Sequence, residues 1–82
     1  MSDVRYMISD AAKLVDVEAH VLRYWEEELD LPIGRNEMGH RYYTEENIRL
    51  FRQIKELKDQ GVQLKAVKIL LPDLEKGDSE IT

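Results

Sequence analysis

The stretch Val17–Leu29, VEAHVLRYWEEEL, followed by Gly34–Tyr43, GRNEMGHRYY, decides how this 82-residue chain folds. Advancing about 100° per residue along the first half puts Val21, Leu22, Trp25 and Leu29 on one side. His20, Arg23, Tyr24 and Glu27 fall on the other. The apolar side needs a core, and the spacing of Trp25 from Val21 and Leu29 makes it part of that core rather than a stacking platform. No core requirement explains an imidazole, a guanidinium and a phenol on the opposite face.

Working outward, Ile8, Ala11, Ala12 and Val15 repeat at helical spacing. They predict a short helix over about residues 9–15, capped by Ser9 and with Asp10 favourable in its first turn. Asp16-Val17 leaves room for a turn of only a few residues before the helix from about Glu18 to Leu29, which is a helix-turn-helix connection. Pro32 and Gly34 are expected to stop that second helix, and a small hairpin is expected to turn near Glu37–Gly39. Tyr42 and Tyr43 alternate, so one packs inward and the other faces out. Thr44 can cap a third helix that buries Leu50, Phe51, Ile54 and Leu57 and carries Arg49, Arg52 and Lys55 outside. Gly61 stops it. A fourth short helix over about Leu64–Leu71 supplies Val67, Leu70 and Leu71 before Pro72 ends it. Residues 1–72 thus form one domain, and the polar, acidic residues 73–82 are expected to be a disordered tail.

Composition narrows the function. The chain has no Cys, so neither a disulfide nor a thiolate metal site can hold it together. Its amino terminus, MSDVRYMISDAAKL, has charges among its apolar residues and reads as neither a signal peptide nor a membrane span, so a soluble, cytoplasmic protein is expected. With two His, and with Ser9 expected in a capping position, no nucleophile, base and orienting group can be assembled convincingly, and Glu26, Glu27 and Glu28 diverge as consecutive helical residues. Gly-rich phosphate loops are absent. We therefore expect no enzyme, no cofactor and no metal, the pair His20 and His40 being too little for a metal site.

Net charge is −5, which by itself argues against a nucleic-acid partner. Residues 1–16 carry two basic and three acidic side chains, residues 17–45 three and seven, and residues 46–82 seven and seven. A few well-placed cations would have to do the binding, with the surplus acid repelling misplaced backbone contacts. His20, Arg23 and Tyr24 can contact phosphates or base edges from a groove. The bland alternative is that Arg23 pairs with Glu27 at i+4 and Tyr24 half-buries its ring. The hairpin shifts the balance, because Arg35, Asn36, His40 and Arg41 gather polar donors on a short exposed loop. Glu27 fits a DNA face poorly and is expected to tether a neighbouring cation.

Residues about 6–71 resemble the winged helix-turn-helix DNA-binding domain of the MerR family of bacterial transcription regulators. The resemblance rests on YMISDAAKLVDVEAHVLRYWEEE, on RNEMGHRYYTEENIRLFRQIKELKDQGVQLKAVKILL, and on their order and spacing. It implies a mostly α fold, a winged helix-turn-helix of about four short helices with a small two-stranded β-hairpin wing. It also implies that the helix from Glu18 enters the major groove with His20, Arg23 and Tyr24 among its DNA-facing residues. Arg35, Arg41 and Tyr43 match the usual arginine and tyrosine positions of the wing, where Arg41 and Tyr43 would touch or brace phosphates. Members typically dimerise and distort promoter DNA. Their dimerising segment is absent from this sequence, so a homodimer is expected only through further chain.

The implied function is sequence-specific binding of double-stranded DNA in the cytoplasm, at the nucleoid, with no membrane partner. Alternatives are a small excisionase-like or architectural DNA-bending factor and, in another class, a winged-helix module that docks a protein. Asp16 stands where the family usually has Gly, Glu18 where it often has Ser, and Val21 where it often has Thr. Glu18 suits the helix dipole but would be repelled by DNA.

Overall fold

Met7, with extended dihedrals (φ −76°, ψ 166°), is the last residue before helix α1, Ile8–Val15. Ser9 therefore lies inside the first turn and is not the cap we expected, since capping requires the side chain of a residue still outside the helix. Asp10 does occupy the first turn. The computed structural model describes residues 4–76, without the side chains of residues 75 and 76.

Three helices end in the same way. After α1, Asp16 turns left-handed (φ 69°, ψ 48°), its N–H donates to the Lys13 carbonyl (3.2 Å), and the Val17 N–H donates back to Ala12 (3.0 Å). Helix α2, Ala19–Glu28, follows after only Val17 and Glu18. It ends at Asp30 (φ 58°), with the Leu31 N–H reaching the Glu26 carbonyl at 3.0 Å. Helix α3, Glu45–Asp59, ends on Gly61 (φ 92°), with the Val62 N–H on the Leu57 carbonyl at 3.0 Å. Each is a Schellman-type reversal that satisfies the last carbonyls and returns an apolar residue to the body. The expected stop at Pro32 and Gly34 is corrected accordingly. Asp30 ends α2 earlier, and this reversal drops Leu29 and Leu31 into the core.

Gly34 instead opens the wing. Strand β1, Gly34–Arg35, pairs antiparallel with β2, Arg41–Tyr42, in the register Gly34 to Tyr42 and Arg35 to Arg41. The Tyr42 ring lies where a side chain at position 34 would begin, so any residue but Gly would have to displace that ring. The turn at residues 36–39 matches the expected hairpin, with the Gly39 N–H donating to the Asn36 carbonyl at 2.9 Å. Beyond β2, Tyr43 and Tyr6 exchange two backbone hydrogen bonds of 2.8 Å, which fastens the segment before α1 to the wing.

Thr44 caps α3 as expected: its Oγ1 accepts from the Asn47 N–H (3.2 Å) and the Asn47 Oδ1 accepts from the Thr44 N–H (3.0 Å). Helix α4 runs over Leu64–Lys76 with Pro72 inside it. The expectation that Pro72 ends the helix is thus wrong. An interior proline costs about 3 kcal/mol, but burial of a leucine returns roughly 1.5–3 kcal/mol, and both Leu71 and Leu74 stay on the core side of the continuing helix. The expected tail loses its first four residues to α4, and residues 77–82 lie outside the described part. Leu70, expected in the core, is 38% exposed, and Val67 alone of its neighbours is fully enclosed.

The core gathers Leu22 and Trp25 from α2, Tyr43 from the end of the wing, Phe51 and Ile54 from α3, and Val67 from α4. Trp25 stacks on Phe51 (centroids 6.4 Å apart, 26°) and Tyr43 meets Phe51 edge-on (5.9 Å, 61°). Ala11, fully buried, keeps α1 small where it packs on its neighbours. At position 16 the backbone is left-handed, a conformation that a Cβ opposes and Gly adopts freely. Asp16→Gly is expected to stabilise the fold by about 0.5–1 kcal/mol, read as a higher urea midpoint with unchanged slope. An unchanged or lower midpoint would show that Asp16 makes a compensating interaction.

Candidate nucleic-acid interface

Because Leu22, Trp25 and Leu29 are held in the core, α2 turns His20, Arg23, Tyr24 and Glu27 to the surface. Tyr24 is 55% exposed. The bland pairing of Arg23 with Glu27 does not occur among the described residues. Nor, among the described residues, does Glu27 bond a cation directly, its charge acting on Arg41 only through space. The tether is one residue earlier: Glu26 Oε1 accepts from Arg41 Nε at 2.8 Å, and Glu26 Oε2 accepts from the Tyr43 hydroxyl at 3.2 Å. One carboxylate thus joins the middle of α2 to both ends of the wing's second arm. The hydrogen bond and charge of Glu26 raise the Arg41 pKa above its usual value, so this guanidinium is fixed as a cation.

The wing tip is tied by its own side chains. Asn36 Oδ1 accepts from the backbone N–H groups of Met38 (2.9 Å) and His40 (3.0 Å), and Arg35 Nη1 donates to the Gly39 carbonyl at 3.0 Å. This leaves Arg35 and His40 exposed on a braced loop. Arg23, Arg35, His40 and Arg41 then line one cleft of about 320 Å³ together with Gly39 and with Met7 and Ile8 at the start of α1. No carboxylate-bearing residue lines it. The helix start adds unpaired backbone N–H groups to the cationic set.

A second cleft, about 350 Å³, opens beside α2 and holds Tyr24, Glu28, Gln63, Leu64, Lys65 and Lys68. Lys65 and Lys68 were missed by sequence reasoning, which treated the fourth helix as core alone. The signal was present, since lysines at i and i+3 flank the buried Val67. On α3, by contrast, the cations serve the fold: Arg52 Nε donates to the Leu14 carbonyl (3.1 Å) and Lys55 pairs with Asp59 (2.8 Å).

The model of the MerR HTH family regulatory proteins matches residues 6–74. The chain belongs to that family. Among curated MerR-type relatives, it is 33% identical over 64 residues to the chromosome-anchoring protein RacA of Bacillus licheniformis, covering 78% of this chain and 34% of that protein. It is 35% identical over 78 residues to the HTH-type transcriptional repressor CarH of Myxococcus xanthus, covering 94% of this chain and 26% of that protein. The chain therefore spans about a third or less of the length of these two relatives. The crystal structure of HiNmlR, a MerR family regulator lacking the sensor domain and bound to promoter DNA, superposes with a TM-score of 0.75 at 29% identity, covering 82% of this chain and 54% of that one.

Within this MerR-type frame, one residue expected to contact DNA, Tyr43, is enclosed, and a second, Asn36, has its side-chain oxygen engaged inside the wing. Tyr43 has no exposed surface, because the alternation places it rather than Tyr42 in the core, so it can brace the wing but not touch a phosphate. Asn36 spends its side-chain carbonyl on the wing turn. Tyr42 faces partly outward beneath the Arg5 guanidinium, 4.4 Å above its ring. His20 is exposed on α2 but lines neither cleft.

Burial and then the Glu26 charge push the Tyr43 hydroxyl up to about 12. The folded state therefore holds this proton more tightly than the unfolded chain, whose tyrosine titrates near 10. The stabilisation is fully present below about pH 10 and is lost between about 10 and 12, amounting to roughly 2–3 kcal/mol. Tyr43→Phe should lack this alkaline loss, so urea midpoints of the two proteins should converge above pH 10. Parallel curves up to pH 12 would refute the assignment.

Proposed function

We propose that this chain binds double-stranded DNA sequence-specifically as the DNA-reading domain of a MerR-type transcription regulator. In this reading α2 lies in the major groove, presenting His20, Arg23 and Tyr24 to base edges and neighbouring phosphates. The wing presents Arg35, His40 and Arg41 to backbone on one side of the groove, and Lys65 and Lys68 meet backbone on the other. The observation that carries the proposal is the convergence of Arg23, Arg35, His40 and Arg41 on one carboxylate-free cleft in a chain of net charge −5. Two copies joined through a segment outside this sequence would read half-sites about one helical turn apart.

The similarity to a chromosome-anchoring protein supports a second reading, in which the same surface holds DNA without controlling a promoter. A reporter fused to each bound site separates the two: transcription changes with the protein in the first reading and not in the second.

Fluorescence anisotropy against duplexes selected from random sequence tests the binding itself. We expect a preferred duplex, and a log–log salt slope between roughly −3 and −4 if Arg35, Arg41, Lys65 and Lys68 each neutralise a phosphate. Arg23→Ala should cost about 1–3 kcal/mol and relax sequence preference. Lys68→Ala should weaken all duplexes alike and reduce the slope by about one. Equal, weak binding to every duplex would overturn the specific reading.

A further inference from the structure

Glu26 presents a paradox for a DNA-binding surface. It adds negative charge to the reading helix, immediately beside the cation-lined cleft, yet its carboxylate is the point where α2 and the wing are joined. Glu27, the next residue, carries the same charge but is exposed, and among the described residues its side chain makes no hydrogen bond or ion pair, acting on Arg41 only through space. Through-space repulsion makes the two alike; geometry makes them opposites.

Resting on the DNA-binding reading above, we infer that Glu26 is a positioning residue for DNA recognition, which aims Arg41 and sets the wing against α2. Both of its oxygens are used. Oε1 takes the Nε–H of Arg41 at 2.8 Å, which fixes the orientation of the guanidinium plane, and Arg41 lines the cleft shared with Arg23 and Arg35. Oε2 takes the Tyr43 hydroxyl at 3.2 Å, and the Tyr43 ring is locked on Phe51. The Glu26 side chain is only 11% exposed against 27% for Arg41, so the bond is sheltered on the carboxylate side while the guanidinium reaches solvent. A sheltered charge-assisted bond of this kind holds its geometry better than an exposed ion pair. The wing has only two residues per strand and cannot hold its own angle, so its orientation depends on such anchors.

The test compares Glu26→Ala with Glu27→Ala, which remove the same charge from the same helix. Glu27→Ala should bind the preferred duplex as tightly as the parent or a few-fold tighter, because it removes repulsion. Glu26→Ala should bind roughly tenfold more weakly despite the same gain in charge, and its salt slope should fall by about one phosphate contact. A fold-stabilising role alone would leave that slope unchanged in protein shown by circular dichroism to be folded at the assay temperature. Should Glu26→Ala not fold, Glu26→Gln keeps the side chain's bulk and an acceptor for Arg41; it should bind more weakly than Glu27→Gln. Arg41→Lys should weaken the parent and add little further loss on top of the Glu26 change. If the Glu26 and Glu27 variants bind alike with equal slopes, the inference fails while the DNA-binding reading stands. Absence of duplex binding by the parent protein would overturn both.

Discussion

Tyr43 has 0% of its surface exposed and is nevertheless bonded on every side. Its backbone pairs with Tyr6 ahead of α1, its ring packs edge-on against Phe51 of α3, and its hydroxyl ends on Glu26 of α2. Thr44, the next residue, caps α3. A small domain has little apolar surface to spare, and one residue that joins four segments at once, through backbone and side chain together, reduces the number of separate anchors required. Burying a phenol without a partner would cost about 1–3 kcal/mol. The Glu26 carboxylate removes that cost and, in doing so, commits α2 and the wing to one relative orientation.

That commitment explains how an acidic chain can present a basic surface. The carboxylates near the interface differ in what they do: Glu26 is consumed by Arg41 and Tyr43, whereas Glu27 remains exposed. The cations are sorted as well, since Arg52 and Lys55 are bonded away from the wing, while Arg23, Arg35 and Arg41 converge on one cleft, where Arg35 and Arg41 are each held by a bond of their own. Summed charge is blind to this sorting. A field is set by where charges are held, and at physiological ionic strength its reach is only about 8 Å.

Much of the arrangement was legible in the residues. The period of Leu22, Trp25 and Leu29 gave the second helix its buried side, and hence put Arg23 and Tyr24 outside; Thr44 marked the start of the third helix. What was not legible depended on contacts distant in sequence or on backbone hand. Nothing local distinguishes Tyr42 from Tyr43 as the buried ring until Phe51 and Tyr6 are in place. Asp30 does not announce a left-handed residue as Gly does, so Pro32 looked like the stop. Pro72 looked like an end because the leucines that hold the helix together past it, Leu71 and Leu74, gain their value only from packing. Glu26 was hidden in a run of three glutamates, and only the fold selects which of them meets Arg41.

The wing's construction bears on how recognition is achieved. Its four paired residues, with Asn36 closing the turn from within and Arg35 clasping Gly39, form a loop whose polar groups are largely satisfied before any DNA arrives. Ordering a free loop would cost on the order of 1–2 kcal/mol per residue. A pre-formed wing avoids that cost at the moment of binding, so a handful of cations can suffice where a flexible basic tail would need many. In the proposed complex the surplus acid elsewhere would work in the same direction, since it would penalise every docking pose in which those few cations missed a phosphate. Specificity in such a domain arises from rigid placement of scarce charge, and the bonds of Glu26 and Tyr43 are what make the placement rigid.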